Sequence, residues 1–151
     1  CLLAFMSSVA FPTPTEAVIP TIYKTQRLQG QVSYLRVDSN MILLDEERTL
    51  SLLQGATGGV PLLLVASIDA YSPSVYQRVK GFDRLQIVRQ NMRRLLRLRR
   101  EMKASVNVQV QFVVQTGNAH EALDFRQYWL DLLDCRSTYK TWDRCSYRSL
   151  L

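Results

Sequence analysis

Hydrophobic and polar positions along the chain switch repeatedly between the two-residue period of strands and the three-to-four-residue period of helices. Apolar runs at residues 2–6, 32–37 and 60–68 predict buried strands. Over residues 106–115, Val106, Val108, Val110, Phe112 and Val114 alternate with Asn107, Gln109, Gln111 and Gln115, which predicts a fourth strand. Helices fall between them. Pro20 opens one that runs to about Leu28 and stops at Gly30. Asp45 caps a second, with Leu44 as its staple, Leu50 and Leu53 as its buried side and Gly55 as its end. Ser72 caps a third that Pro73 opens. Residues 82–102 carry Leu85, Val88, Met92, Leu95 and Leu96 at helical spacing. Asn118 and Glu121 read as a capping box for a last helix whose face is Ala122, Phe125, Trp129, Leu132 and Leu133.

This alternation predicts an α/β fold of parallel βα units with right-handed crossovers. Four strands are too few to close a barrel, for which about eight are needed, so the expected architecture is part of an open TIM-type barrel. Residues 1–134 form the expected βα domain. Residues 135–151 lose both periods and read as an irregular C-terminal tail.

Polar residues at strand ends are the candidate chemistry, because α/β folds place ligand contacts at the carboxyl ends of their strands. Ser67 and Asp69 arrive as the third strand ends, and a helix-capped strand tip with no ligand accounts for them equally well. Asn40 ends the second strand as either a ligand contact or an Asx turn. Gln109 and Gln111 face either a barrel lumen or, on an edge strand, water. His120, the single histidine, reads as a surface residue in a first helical turn.

A chain of 151 residues, 47% hydrophobic and 21% charged, can bury a core and is not compositionally disordered. The net charge of +6 concentrates in the 82–102 helix, where Arg89, Arg93, Arg97 and Arg100 form a stripe. The stripe lacks aromatic residues for base stacking, so a solvated outer face is expected and nucleic acid is not. The three cysteines, Cys1, Cys135 and Cys145, make no C-x-x-C array and supply neither a zinc site nor an iron–sulfur ligand set. They suit a reduced, cytoplasmic chain, with a Cys135–Cys145 disulfide left open. No apolar run reaches the ~20 residues of a membrane-spanning helix. A first residue of cysteine suggests a fragment.

The run S-I-D-A at 67–70, then S-P-S-V-Y-Q-R-V-K-G, a long basic helix and V-Q-V-Q-F-V-V-Q-T-G-N-A-H-E-A together resemble the middle of a radical S-adenosylmethionine enzyme. The likeness covers about residues 11–133. It implies a six-unit partial barrel, a four-iron cluster held by three cysteines, S-adenosylmethionine as cofactor, and hydrogen abstraction from a substrate that the resemblance does not identify. By the same likeness Ser67 and Asp69 contact the ribose. Asn40 and the Phe11-Pro12-Thr13 loop lie near the methionine, and Gln111 lines the lumen. Pro12 and Thr13 match the family's E-P-T ending, while Phe11 stands where the carboxylate is usual; Ser39-Asn40-Met41 stands where T-N-G is usual. The cluster cysteines and the rest of the barrel are expected outside this chain, which would be inactive alone. The other reading is a non-catalytic binding or scaffold domain that engages an anionic partner through its arginine helix.

Overall fold

The computed structural model describes residues 2–6, 35–56, 61–133 and 144–149, and for 2–6 only the backbone. The helix expected at 20–28, the Phe11-Pro12-Thr13 loop, Cys1 and Cys135 lie outside these residues. Five parallel strands form one sheet in the order β1-β2-β3-β4-β5. They are β1 (Leu2–Met6), β2 (Leu35–Ser39), β3 (Leu62–Ser67), β4 (Val106–Val114) and β5 (Arg144–Ser149). Sequential parallel order requires a crossover after each strand, and helices supply the described ones: α1 (Glu46–Ala56), α2 (Pro73–Lys80), α3 (Leu85–Met102) and α4 (Ala122–Leu133).

Local chemistry starts α1 and α2 and ends α2 and α3. Asp45 Oδ1 accepts from Arg48 N at 2.9 Å, which caps α1 as predicted. Ser72 Oγ accepts from Val75 N at 3.4 Å over the first turn of α2, and Gly81, at φ +85°, closes that helix. The long basic helix starts three residues later than predicted, at Leu85, and Lys103 ends it at φ +52°. The predicted helical stripe is the buried one: Leu85, Val88, Met92 and Leu95 are wholly inaccessible, and Leu96 packs on the core's margin.

Strand registers divide the sheet into two chemically different faces. Leu35, Leu62 and Val106 align across β2, β3 and β4, as do Val37, Leu64 and Val108. With Ala66, Val110 and Phe112 they form the core beneath the helices. There α1 packs against α3, while Phe112 meets the rings of Phe125 and Tyr147 at 4.6 and 5.9 Å. The alternate residues point the other way. They include Arg36 and Asp38 on β2, Leu63, Val65 and Ser67 on β3, Asn107, Gln109 and Gln111 on β4, and Arg144 and Ser146 on β5. A parallel sheet is ordinarily apolar on both faces because both are covered. Here one face is apolar and the other carries an ion pair and a polar network.

Two expectations about the end of the chain are corrected. Residues 144–149 form a strand, not part of an irregular tail: Arg-Cys-Ser-Tyr-Arg-Ser alternates polar and apolar positions, and Cys145 and Tyr147 pack on the core side. In consequence β4 is an interior strand, so Gln109 and Gln111 do not stand on an exposed sheet edge; both are buried.

Candidate functional site

Where β3 and β4 end, Ser67, Lys80, the Val113 amide and Asn118 converge on Asp69. Beyond β3, Ile68 extends the ladder through its amide to Gln111 O at 3.2 Å, and then Asp69 turns the chain with φ +63°. That left-handed conformation is uncommon for a residue with a Cβ, and side-chain bonds hold it in place. Asp69 Oδ1 accepts from the Val113 amide at 2.6 Å. Oδ2 accepts from Lys80 Nζ at 2.6 Å and from Ser67 Oγ at 3.0 Å. Lys80 Nζ also lies 3.4 Å from Ser67 Oγ. Asp69 is 4% exposed, so this carboxylate is desolvated and is compensated by one cation and two neutral donors.

The turn after β4 completes the arrangement. Asn118 Nδ2 donates to Asp69 O at 2.8 Å and to Val113 O at 2.9 Å, while its Oδ1 accepts from Gln115 N at 2.7 Å. Glu121 accepts from Tyr71 N at 2.7 Å and from Ser72 N at 3.1 Å. The predicted capping box is therefore corrected. Asn118 makes no side-chain cap to its own helix, and Glu121 takes up the amide of Ser72, the N-cap of α2, nearly fifty residues away. A carboxylate at that position also faces the positive end of the α2 dipole. The β3–α2 and β4–α4 connections are thus cross-tied by two side chains that the linear pattern assigned to local capping.

Other expected site residues lie in separate surroundings. Asn40 Oδ1 accepts from Ile42 N at 3.2 Å and Ser39 Oγ from Met41 N at 3.0 Å, so this strand end is an Asx-type turn. Met41 takes φ +67° where the resembled motif has glycine, and Asn91 Nδ2 on α3 secures it by donating to Met41 O at 2.7 Å and Ile42 O at 3.1 Å. Gln111 lies between Ser67 and Ser146 in the strand registers. Its Oε1 is buried with no donor among the described residues. His120 is exposed, as predicted.

Several contributors were not singled out from sequence. Lys80 comes from the last turn of α2, one helical turn after Tyr76. Arg36 pairs with Asp38 at 2.7 Å on the polar face, and Arg144 Nε donates to Gln109 Oε1 at 2.7 Å while Gln109 Nε2 donates to Ser146 Oγ at 2.8 Å. Arg89 leaves the solvated stripe: its guanidinium sits 4.5 Å from the Tyr128 ring centroid and 5.4 Å from that of Tyr71, and donates to Tyr71 O at 2.6 Å. A cavity of about 490 Å³ opens at the end of β4, lined by Val114, Gln115, Thr116, Gly117 and Ala119.

The donor set among the described residues does not fit an iron–sulfur cluster. Among the described residues no three His, Cys, Asp or Glu side chains converge, and Cys145 packs against the core on the helix-covered side. No helix among these residues is long and apolar enough to cross a membrane. Neither a scan against family models nor a search of curated proteins finds a match to the chain.

Two outcomes are expected from this geometry. Asn118→Ala removes the partners of Asp69 O, Val113 O and the Gln115 amide together, and should cost about 3 kcal/mol in urea unfolding, since each buried group left bare costs about 1–3 kcal/mol. A loss below about 1 kcal/mol would show that Asn118 does not hold the turn. Tyr76, fully buried and with no partner for its hydroxyl among the described residues, has its pKa pushed up to about 12 by burial, with Asp69 and Asp83 adding to the effect. The unfolded phenol ionises near 10, so between pH 10 and 12 the unfolded state holds fewer protons and stability falls as pH rises. Tyr76→Phe should flatten that fall in a pH series of unfolding curves while leaving stability at neutral pH equal or higher. An unchanged slope would contradict the assignment.

Proposed function

We propose that the chain is a ligand-binding segment of a partial βα barrel whose polar inner face takes a small polar molecule at the carboxyl ends of its strands. S-adenosylmethionine is the ligand that the sequence resemblance nominates. The observation that carries the reading is the two-faced sheet: helices cover one side, while the other presents Ser67, Gln109, Gln111 and Ser146 toward what would be the lumen. Sequential parallel order, with α1 and α3 packed together over the apolar face, supports a sheet that curves as part of a barrel. Ser67, Lys80, Gln111 and Ser146 keep hydrogen-bonding capacity for a ligand. Asp69 has most of its acceptor positions filled by its own chain, so it orients Ser67 and Lys80.

Radical chemistry on this reading depends on cluster ligands outside the described residues, and a radical S-adenosylmethionine enzyme in a reduced cytoplasmic setting is its finer form. A second reading, an anion-engaging scaffold, is favoured by a groove of about 350 Å³ on the outer side of α3 and α4, lined by Arg93, Leu96, Arg97, Arg100, Glu101 and Leu132. It ranks second because Arg93 donates to the Tyr128 hydroxyl at 3.0 Å and Arg97 pairs with Glu101 at 3.2 Å.

Calorimetric titration with S-adenosylmethionine tests the first reading. Binding is expected, and Ser67→Ala should weaken it about tenfold, the loss of one hydrogen bond worth about 1.4 kcal/mol. Absence of binding by the folded chain, or equal binding by both proteins, would remove this ligand from the face.

A further inference from the structure

The six arginines of α3 divide into two sets of three. Arg89, Arg94 and Arg99 each donate to a main-chain oxygen, of Tyr71, Leu44 and Val106 at 2.6, 3.4 and 3.0 Å, and so tie the helix to the rest of the fold. Arg93, Arg97 and Arg100 are exposed and line the groove between α3 and α4. Their spacing puts all three on one ridge of the helix, about 10 Å from first to last. Leu96 from the same ridge and Leu132 from α4 supply the apolar lining, both half-buried at the margin of the core.

The charges of this groove are unequal and available. Three guanidiniums meet one carboxylate, that of Glu101, among the lining residues. The Arg97–Glu101 pair is 57% and 54% exposed, and a pair so exposed contributes little and exchanges readily for a partner's carboxylate. Arg93 is oriented by its bond to the Tyr128 hydroxyl at 3.0 Å, which occupies one of the five N–H donors of a guanidinium.

Charge and apolar lining together select the partner. A nucleic-acid backbone would satisfy the arginines but not the leucines, and no aromatic ring is among the lining residues to stack a base. A helix that lies on a membrane buries an apolar face between its cations, whereas here the leucines sit inside a groove. An amphipathic helix laid in a groove is read through anchors that recur every three and four residues, the spacing at which Arg93, Leu96, Arg97 and Arg100 follow one another.

We propose that the groove between α3 and α4 is a docking site for an acidic amphipathic helix of a partner protein, whose aliphatic side chain seats against Leu96 and Leu132 while its carboxylates pair with Arg93, Arg97 and Arg100. The proposal rests on the anion-engaging reading of this helix pair and is independent of any ligand on the polar face.

Fluorescence anisotropy with the full chain tests it, using a labelled alanine-based helical peptide that carries one leucine flanked by glutamates at helical spacing. Saturable binding at low salt is expected. Changing the peptide's glutamates to glutamine, or its leucine to serine, should each weaken binding at least about fivefold. Arg97→Gln combined with Arg100→Gln should do the same and leave the melting temperature of the chain nearly unchanged, because both positions are exposed. The methyl signals of Leu96 and Leu132 should shift on titration while those of Leu62 and Leu64, inside the sheet, stay in place. No saturable binding, binding indifferent to the double change, or equal binding of the leucine and serine peptides would overturn the proposal. Heparin or phosphatidylserine vesicles held through Arg97 and Arg100 in place of the peptide would also overturn it, yet leave the anion-engaging reading in force; failure of peptide, heparin and vesicles alike would remove both.

Discussion

The carboxylate of Asp69 is the constraint on which the strand ends depend. Its backbone is in a conformation that a residue with a side chain rarely adopts unaided, and burial denies it water. What holds it is convergence from three elements: Lys80 from α2, the amide of Val113 from β4, and Asn118 from the turn beyond β4. Breaking one side of a buried ion pair strands the other charge, so Lys80 and Asp69 stand or fall together. The pair does not have to be a large net source of stability to serve this purpose. Its effect is to fix which way β3 leaves the sheet and how α2 lies on the strand ends.

That fixed geometry explains why a short helix intervenes between β3 and the helix that covers the sheet. Ser72, Pro73 and Gly81 delimit α2 locally, but Glu121 supplies the carboxylate that its N-terminus would otherwise draw from its own first turn. With both ends determined, Tyr76 is driven into the interior and Lys80 is carried back to Asp69. The arrangement uses the polar residues nearest the loop for holding the backbone, and leaves those on the next two strands, Gln111 on β4 and Ser146 on β5, with capacity to spare. On the polar face Arg36 pairs with Asp38 and Lys80 with Asp69, while Arg144 donates to the neutral Gln109. The chain's positive excess lies mainly on the outer side of α3. The two candidate surfaces are therefore chemically distinct.

Periodicity made the α/β class, the parallel order and most of the core legible in the sequence. The stripe Leu85, Val88, Met92 and Leu95 could face only inward, and the alternation across 106–115 could form only a strand with two unlike faces. Helix starts at Asp45 and Ser72 were legible because capping is chemistry within a few residues. Asn118 and Glu121 show where such reading stops. Their spacing matches a local capping box, yet Asp69 O, which Asn118 binds, and both amides that Glu121 binds lie about fifty residues away, and sequence distance carries no information about that. Arg89 likewise reads as one of four equivalent arginines until Tyr71 and Tyr128 arrive from other elements. The strand at 144–149 was legible in principle, since Cys145 and Tyr147 alternate with Arg144, Ser146 and Arg148, but six residues of mixed polarity carry a weak signal beside a polar surround.

Native-state hydrogen exchange at the Val113, Tyr71 and Ser72 amides tests the central claim most directly, because these three donate to the carboxylates of Asp69 and Glu121. If the cross-tie at Asp69 organises the strand ends, the Val113 amide should exchange as slowly as the core of β4 in the parent chain. In Asp69→Ala, protection should fall together at Val113, Tyr71 and Ser72, while Val108 and Val110 in the middle of β4 keep theirs under conditions where the variant stays folded. Fast exchange of Val113 in the parent, or loss confined to Val113 in the variant, would contradict the account.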